Sequence, residues 1–165
     1  MIIKIRNRHR LKNKEIREVK EELMKNFDCD FSFKDIVIES GIVDDKNIIF
    51  IDNEPCFVYY NSDIVFTLFG LNRFQPSNRY VVVDMGAVKF VTNGADVMSP
   101  GIVDADENIA EGDQVWICDE RNKKPLAVGF AIINGNEMKN KNSGRAVETF
   151  FYVGDKLYNT LAKSL

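Results

Sequence analysis

The spacing of apolar residues changes twice along the chain. In "MIIKIR", Ile3 and Ile5 alternate with Lys4 and Arg6, which predicts a short strand with both isoleucines facing inward. Asn13 is placed to cap a following helix, because its side-chain oxygen can accept a free backbone N–H. Ile16, Val19, Leu23 and Phe27 then recur at helical spacing, predicting one apolar stripe. Glu15 and Glu18 bring acid to the helix start, where the dipole favours it. From Phe31 to Tyr60 the period falls to two. "DIVIES", "NIIFID" and "CFVYY" read as strands, separated by the turn signals "DDKN" and "DNEP". "SDIVFTLFGLNRF" (62–74) fits either a buried strand or a short helix capped by Ser62. "NRFQPSN" reads as a linker with a boundary near Pro76.

Beyond it come "RYVVVD", "AVKFVT", "DQVWICD", "LAVGFAII" and "AVETFFYV", five β-type segments separated by Gly-, Asp- and Asn-rich turns. That spacing predicts a small, closed or nearly closed β-barrel. The expected fold class is an α+β N-terminal domain (1–75) followed by a small mixed β-barrel (76–165). One stretch, "TNGADVMSPGIV" (92–103), fits no single period. Its small residues allow a partner to approach the backbone, and Gly94 and Gly101 permit φ > 0. Pro100 would end any helical turn that begins near Ala95.

Composition narrows the function classes. The 165 residues are 45% hydrophobic and 28% charged, the make-up of a globular protein with a core. No apolar run reaches 18 residues, and "MIIKIRNRHR" lacks the apolar core of a secretory signal. Cys29, Cys56 and Cys118 are scattered and odd in number, as in a reducing cytoplasm, so a cytoplasmic location is expected. The net charge of −3 opposes coating of nucleic acid by bulk electrostatics. The distribution is uneven, however. Residues 1–25 carry nine Lys/Arg against four Glu, whereas residues 26–77 carry three against nine acidic groups. Lys4, Arg6, Arg8, Arg10, Lys12 and Lys14 fall on alternate residues. In an extended segment the first five project from one side, with Lys14 close behind, and could contact phosphates with a strong salt dependence. A solvated strand–helix junction is the competing account of the same charges.

Catalytic chemistry finds little support. His9 lies between Arg8 and Arg10, and no cysteine or serine motif brackets it. "DADE" (104–107) lacks the glycine and distal glutamate of an EF-hand and reads as a solvated acidic turn. Neither a GxGxxG nor a P-loop pattern occurs. The expectation is a protein that is not an enzyme, with no cofactor and no metal.

Four separate motifs, "VVVDMGAVKFVTNGADVMSPGIV", "IAEGDQVWI", "PLAVGFAI" and "AVETFFYVGDKLY", resemble the PUA domain in order and separation from Arg79 to Tyr158. "RHRLKNKEIREVKEEL" and "NIIFIDNEPCFVYY" resemble the pre-PUA domain of archaeal relatives of the malignant T-cell-amplified-sequence protein and ligatin. The resemblance implies RNA binding without catalysis. It marks Gly94, Ala95, Val97, Met98, Pro100 and Gly101 as one wall of an RNA groove, with Lys89 on the preceding strand. Arg145, Ala146, Gly154 and Asp155 belong to the other wall. It further implies a role in translation on tRNA or the small ribosomal subunit, with a separate initiation-factor-like protein as partner. Two positions depart from the family's H-Y-V-G-D-x-L-W pattern: Phe151 stands for His and Tyr158 for Trp. The same motifs also serve as barrel core and turns. A protein-interaction module using "FFYV" or "FTLFGL", or an accessory subunit of an RNA-modifying enzyme, is the alternative reading.

Overall fold

The computed structural model describes residues 3–165. The chain divides into two compact units, Met1–Pro76 with Asn159–Leu165, and Ser77–Tyr158.

In the first unit, β1 (Arg6–Arg10) leads into α1 (Asn13–Asn26), followed by β2 (Ile38–Val43), β3 (Lys46–Ile51), β4 (Glu54–Tyr60), β5 (Asp63–Phe66) and α2 (Leu68–Phe74). The strands form one antiparallel sheet in sequence order. Three of its hairpins have two-residue loops, and in two of them, Asp44-Asp45 and Asp52-Asn53, both residues are at positive φ. That geometry matches the twist of the flanking strands, and Asp and Asn tolerate it best after Gly. Val19 and Leu23 of α1 are buried, and Phe27 meets Phe66 edge-on at 4.8 Å. Phe31, Phe57 and Phe74 complete an aromatic core. The ambiguous 62–74 stretch contains both a strand and a helix. Thr67 rather than Ser62 divides them, its Oγ1 accepting from the Gly70 N–H at 3.1 Å. A Cβ at Gly70 would collide with the Cys56 carbonyl, so only glycine lets α2 lie this close to β4.

Two expectations at the start are corrected. Residues 3–5 are not a strand; the strand begins at Arg6, and every residue of it is exposed. Met1 and Ile2, the rest of the expected strand, lie outside the described residues. Asn13 is the first helical residue, so Lys12 occupies the cap position. A lysine side chain has no acceptor. The helix start is closed instead by the Glu15 carboxylate, which accepts from the Lys12 N–H at 3.0 Å.

The second unit contains β6 (Tyr80–Val83), α3 (Met85–Val91), β7 (Val97–Met98), a 3-10 turn (Ser99–Gly101), β8 (Ile102–Ala105), β9 (Gln114–Asp119), β10 (Pro125–Ala131), α4 (Gly135–Asn140) and β11 (Arg145–Tyr152). A last helix, α5 (Lys156–Ala162), follows. Six strands in the order β7-β11-β10-β9-β6-β8 form a nearly closed mixed barrel, in which β6 and β9 run parallel and the other pairs antiparallel. Val81, Val83, Val115, Ile117 and Val147 fill its interior.

"AVKFVT" is a helix, not a strand. Asp84 caps it, Oδ1 accepting from the Ala87 N–H at 2.8 Å. Ala87, Val88 and Val91 turn to the core together at helical spacing, while Lys89 and Phe90 remain exposed. Val97–Met98, expected within a helical turn, is extended and pairs with β11. The tight turn comes afterwards, with Ser99 as its first residue despite the following proline. The "DADE" segment is more than a solvated turn: Asp106 accepts from the Arg79 N–H at 2.7 Å, and Lys139 Nζ lies 3.0 Å from Glu107 and 3.6 Å from Asp104.

Candidate nucleic-acid interface

The stretch without a period builds a pocket. α3 ends at Val91 with Thr92 as its C-cap, and the chain reverses through Gly94 at φ +89° before entering β7. At Gly101 the return toward β8 passes close beneath α3, where an added Cβ would stand 3.0 Å from that of Ala87. Between the helix and the returning chain lies a pocket of about 580 Å³, within the range typical of ligand sites. Its walls are mainly apolar, formed by Ala87, Val91, Ala95, Val97, Pro100 and Gly101. Two large apolar side chains stand at its edge with about half their surface in water, Phe90 at 57% and Met98 at 47%. Lys89 Nζ sits 5.1 Å from the centroid of the Phe90 ring, so a cation flanks the exposed aromatic.

Polar contacts tie this pocket to β11. Asp96 Oδ1 accepts from the Thr149 N–H at 3.0 Å, and its Oδ2 pairs with Arg145 Nη1 at 3.1 Å. The Thr149 hydroxyl donates to the Ala95 carbonyl at 2.9 Å. Met98 and Arg145 are register partners across β7 and β11, which puts an exposed guanidinium next to the pocket's apolar edge.

The expected site residues therefore take different positions. Ala95, Val97, Met98, Pro100 and Gly101 line the pocket, and Lys89 and Arg145 flank it. Lys89 does so from a helix rather than a strand. Val97 and Ala146 have side chains in the barrel core. Gly94 lies under the Tyr152 ring. Gly154 is exposed at φ +85°, and the Asp155 carboxylate accepts from the Tyr152 and Tyr158 N–H groups at 3.0 and 2.7 Å. Asp155 thus holds the turn after β11. Phe151, at the departure from His, is buried, and its neighbour Phe150 packs edge-on against it at 4.5 Å. Phe90 was not among the expected residues; its signal was its place off the stripe of Ala87, Val88 and Val91 on a helical wheel.

The basic residues at 4–14 belong to the first unit. A bulge between Arg6 and His9, with Asn7 at φ +52°, breaks the alternation that would aim them all one way. Arg8 is committed to Glu39 at 3.1 Å and to Asn53 at 2.7 Å, and it lies 4.8 Å over the Phe50 ring. Arg6 is only 3.7 Å from the fully exposed Asp45 side chain. Lys4, Arg10, Lys12 and Lys14 are exposed. Among the described residues, no group of three or more His, Cys, Asp or Glu could hold a metal ion, and no helix is long and apolar enough to cross a membrane.

Comparison with known proteins follows the same division. The PUA domain family matches residues 79–153, and the family described as a domain of unknown function, DUF1947, matches residues 7–74. An uncharacterized protein of Methanocaldococcus jannaschii is 44% identical over 162 residues, covering 95% of this chain and 98% of that protein. Translation machinery-associated protein 20 of Schizosaccharomyces pombe is 33% identical over 109 residues, 64% of this chain and 60% of that protein. The malignant T-cell-amplified sequence 1 homolog of Drosophila melanogaster is 35% identical over 97 residues, 57% of this chain and 53% of that protein. The match thus spans little more than half the length of these two eukaryotic relatives. Among solved structures, a hypothetical protein of Pyrococcus horikoshii OT3 superimposes with a TM-score of 0.81 at 34% identity, covering 93% of this chain and 99% of that one. With both halves matched and a relative aligned almost end to end, the chain belongs to the PUA-domain proteins that carry a DUF1947 domain ahead of the PUA domain.

Proposed function

We propose that the protein is a noncatalytic RNA-binding protein of translation that touches tRNA or the small ribosomal subunit. One observation carries this reading: an apolar pocket edged by the exposed Phe90 and Met98 and flanked by Lys89 and Arg145. Unpaired RNA bases stack on exposed aromatics, and neighbouring cations hold the backbone. Lys4, Arg10, Lys12 and Lys14 supply further phosphate contacts from the first unit. The similarity to translation machinery-associated protein 20 supports the setting in translation. A cytoplasmic location and a separate initiation-factor-like partner belong to the same proposal.

Ultraviolet crosslinking in cell extract, followed by peptide mapping, tests the reading. Crosslinks to tRNA or small-subunit RNA should fall in the peptides carrying residues 84–101 and 4–14. Purified protein that binds neither tRNA nor small subunits at low salt would sink it. The rival interaction-module reading requires "FTLFGL" or "FFYV" at the surface. Phe66, Leu68, Leu71 and Phe151 are buried, which speaks against it. A protein partner retained from nuclease-treated extract, with no RNA binding, would reinstate it.

A further inference from the structure

We infer that the loop between β9 and β10 holds the phosphate backbone of an RNA stem through Arg121, Lys123 and Lys124, a contact separate from the pocket beside α3. This inference rests on the RNA-binding reading above and adds a paired segment of the RNA to it.

Ion pairing sorts the cations of the second unit. Ser77–Tyr158 holds nine Lys/Arg against twelve Asp/Glu. Four of the nine are committed to carboxylates: Arg79 to Asp113, Lys139 to Asp104 and Glu107, Lys141 to Glu137, and Arg145 to Asp96. Among the described residues, Lys89, Arg121, Lys123, Lys124 and Lys156 are exposed and form no ion pair. Three of these five fall within four residues. β6 and β9 run parallel and end together, and the Glu120 N–H donates to the Val83 carbonyl at 3.0 Å, next to Asp84 at the start of α3. β10 leaves the loop antiparallel to β11, and the Val153 N–H donates to the Leu126 carbonyl at 2.9 Å. The loop, the turn leading to Lys156 and the start of α3 therefore share one end of the barrel. The four paired cations precede β6 or lie between the end of β10 and the start of β11, toward the opposite end.

The loop is held in shape. Asp119 is buried, and its Oδ1 accepts from the Asn122 and Lys124 N–H groups at 3.3 and 2.9 Å. The Lys123 N–H donates to the Asp119 carbonyl at 3.1 Å. Lys123 itself has φ +54°, a region that Gly, Asn and Asp enter more readily. The backbone is thus fixed while three cationic side chains stay exposed, with Glu120 the one exposed acid beside them.

No aromatic side chain stands in this loop for an unpaired base to stack on. What it can hold is phosphate, and paired RNA presents phosphates from two strands while its bases face each other. A cluster of cations matches that density of charge. Phosphate contacts carry no sequence information, so the loop recognises a stem by its form.

Fluorescence anisotropy with the full-length chain tests this on a blunt RNA hairpin and an unstructured adenylate hexamer, both labelled. The triple variant Arg121→Ala, Lys123→Ala, Lys124→Ala keeps Asp119 and its bonds to the backbone, and circular dichroism should confirm that it is folded. It should bind the hairpin about tenfold or more weakly, with the slope of log affinity against log salt lowered by about 2–3, the share of three phosphates. Affinity for the hexamer should change by about twofold or less, since a single strand gains little from this loop. The double variant Lys139→Ala, Lys141→Ala, which removes two paired cations, should leave the hairpin slope unchanged. Loss on the hairpin alone supports the inference. If the triple variant binds the hairpin as wild type does, or the hairpin stays unbound while tRNA binds, the inference is overturned and RNA binding stands. Equal loss on hairpin and hexamer would make the occupant a single strand and overturn the assignment to a stem. If wild type binds none of hairpin, hexamer and tRNA, both readings fall together. Loop-dependent binding of a hexaglutamate peptide without binding of the hairpin would show an acidic protein segment as occupant and overturn the inference as well.

Discussion

The Tyr152 ring lies on Gly94: a Cβ added there would stand 2.8 Å from the ring's Cε1 and 3.0 Å from its Cζ. Gly94 also has φ +89°, which L side chains seldom adopt. Two independent costs therefore meet in Gly94→Ala, backbone strain and displacement of an aromatic packed against the barrel core. The expected destabilisation is about 1–3 kcal/mol, from strain of this kind alone or with partial relaxation of the ring. Thermal unfolding should show a clear fall in the melting temperature. A variant with unchanged melting temperature would mean that Tyr152 yields at no cost.

Phe90→Ala separates function from stability. The side chain is more than half exposed, so truncating it removes little buried surface and should move stability by no more than about 0.5 kcal/mol. If Phe90 carries a stacked base, RNA affinity should fall by about 1–3 kcal/mol. Titration of labelled RNA alongside a thermal melt of the same sample checks both halves. Equal affinity in a folded variant would remove Phe90 from the interface.

The three cysteines should be inert in the folded protein. Burial pushes the Cys56 and Cys29 thiols up to about 12 and the Cys118 thiol to about 11. The thiolate is the reactive form, so a thiol reagent at pH 8 should label the native chain slowly and the denatured chain at once. Stability has a matching pH dependence. A raised folded-state value means that the stabilising contribution is complete below the unfolded thiol's value near 8.5 and is lost as pH rises toward 11 to 12. For the buried Cys56 and Cys118, the slope in that window approaches about 1.4 kcal/mol per pH unit each. Denaturant melts at pH 8 and pH 10 measure it, and equal midpoints would contradict it.

Where local chemistry decides structure, the sequence was readable. Asp44-Asp45 and Asp52-Asn53 marked their hairpins because few other residues accept positive φ at both positions. The stripe of Val19, Leu23 and Phe27 was long enough for its period to be plain. α3 was misread because seven residues of "MGAVKFV" satisfy a strand's period nearly as well as a helix's. The Asp84 cap decides between them. β7 has only two residues and exists through its pairing with Arg145 and Val147, far along the chain. The bulge at Asn7 likewise depends on β2. The last two features come from tertiary partners, and the pocket rests on one of them, β7, together with the locally capped α3. The glycines and Pro100 of the site were therefore visible beforehand, while Phe90, the ring at its edge, was not.

The basic segment offers a comparison between neighbouring arginines. Arg8 pairs with Glu39 and Asn53 and covers Phe50, whereas Arg10 is exposed on the same strand. Arg8→Ala should cost stability, about 1 kcal/mol for the bidentate pair and stacked guanidinium, because it strips interactions from β2 and β3. Arg10→Ala should leave stability within about 0.5 kcal/mol. RNA binding should respond in the opposite order. A cation already neutralised by Glu39 releases few counterions from RNA, while a free one contributes fully. Replacing Arg10, Lys12 or Lys14 by alanine should each lower the slope of log affinity against log salt by about 0.7–0.9, the share of one phosphate. Binding isotherms at four salt concentrations, run beside thermal melts of each variant, give both quantities. Arg8→Ala and Arg10→Ala with equal salt slopes and equal melts would show that the Glu39 pairing does not set their roles.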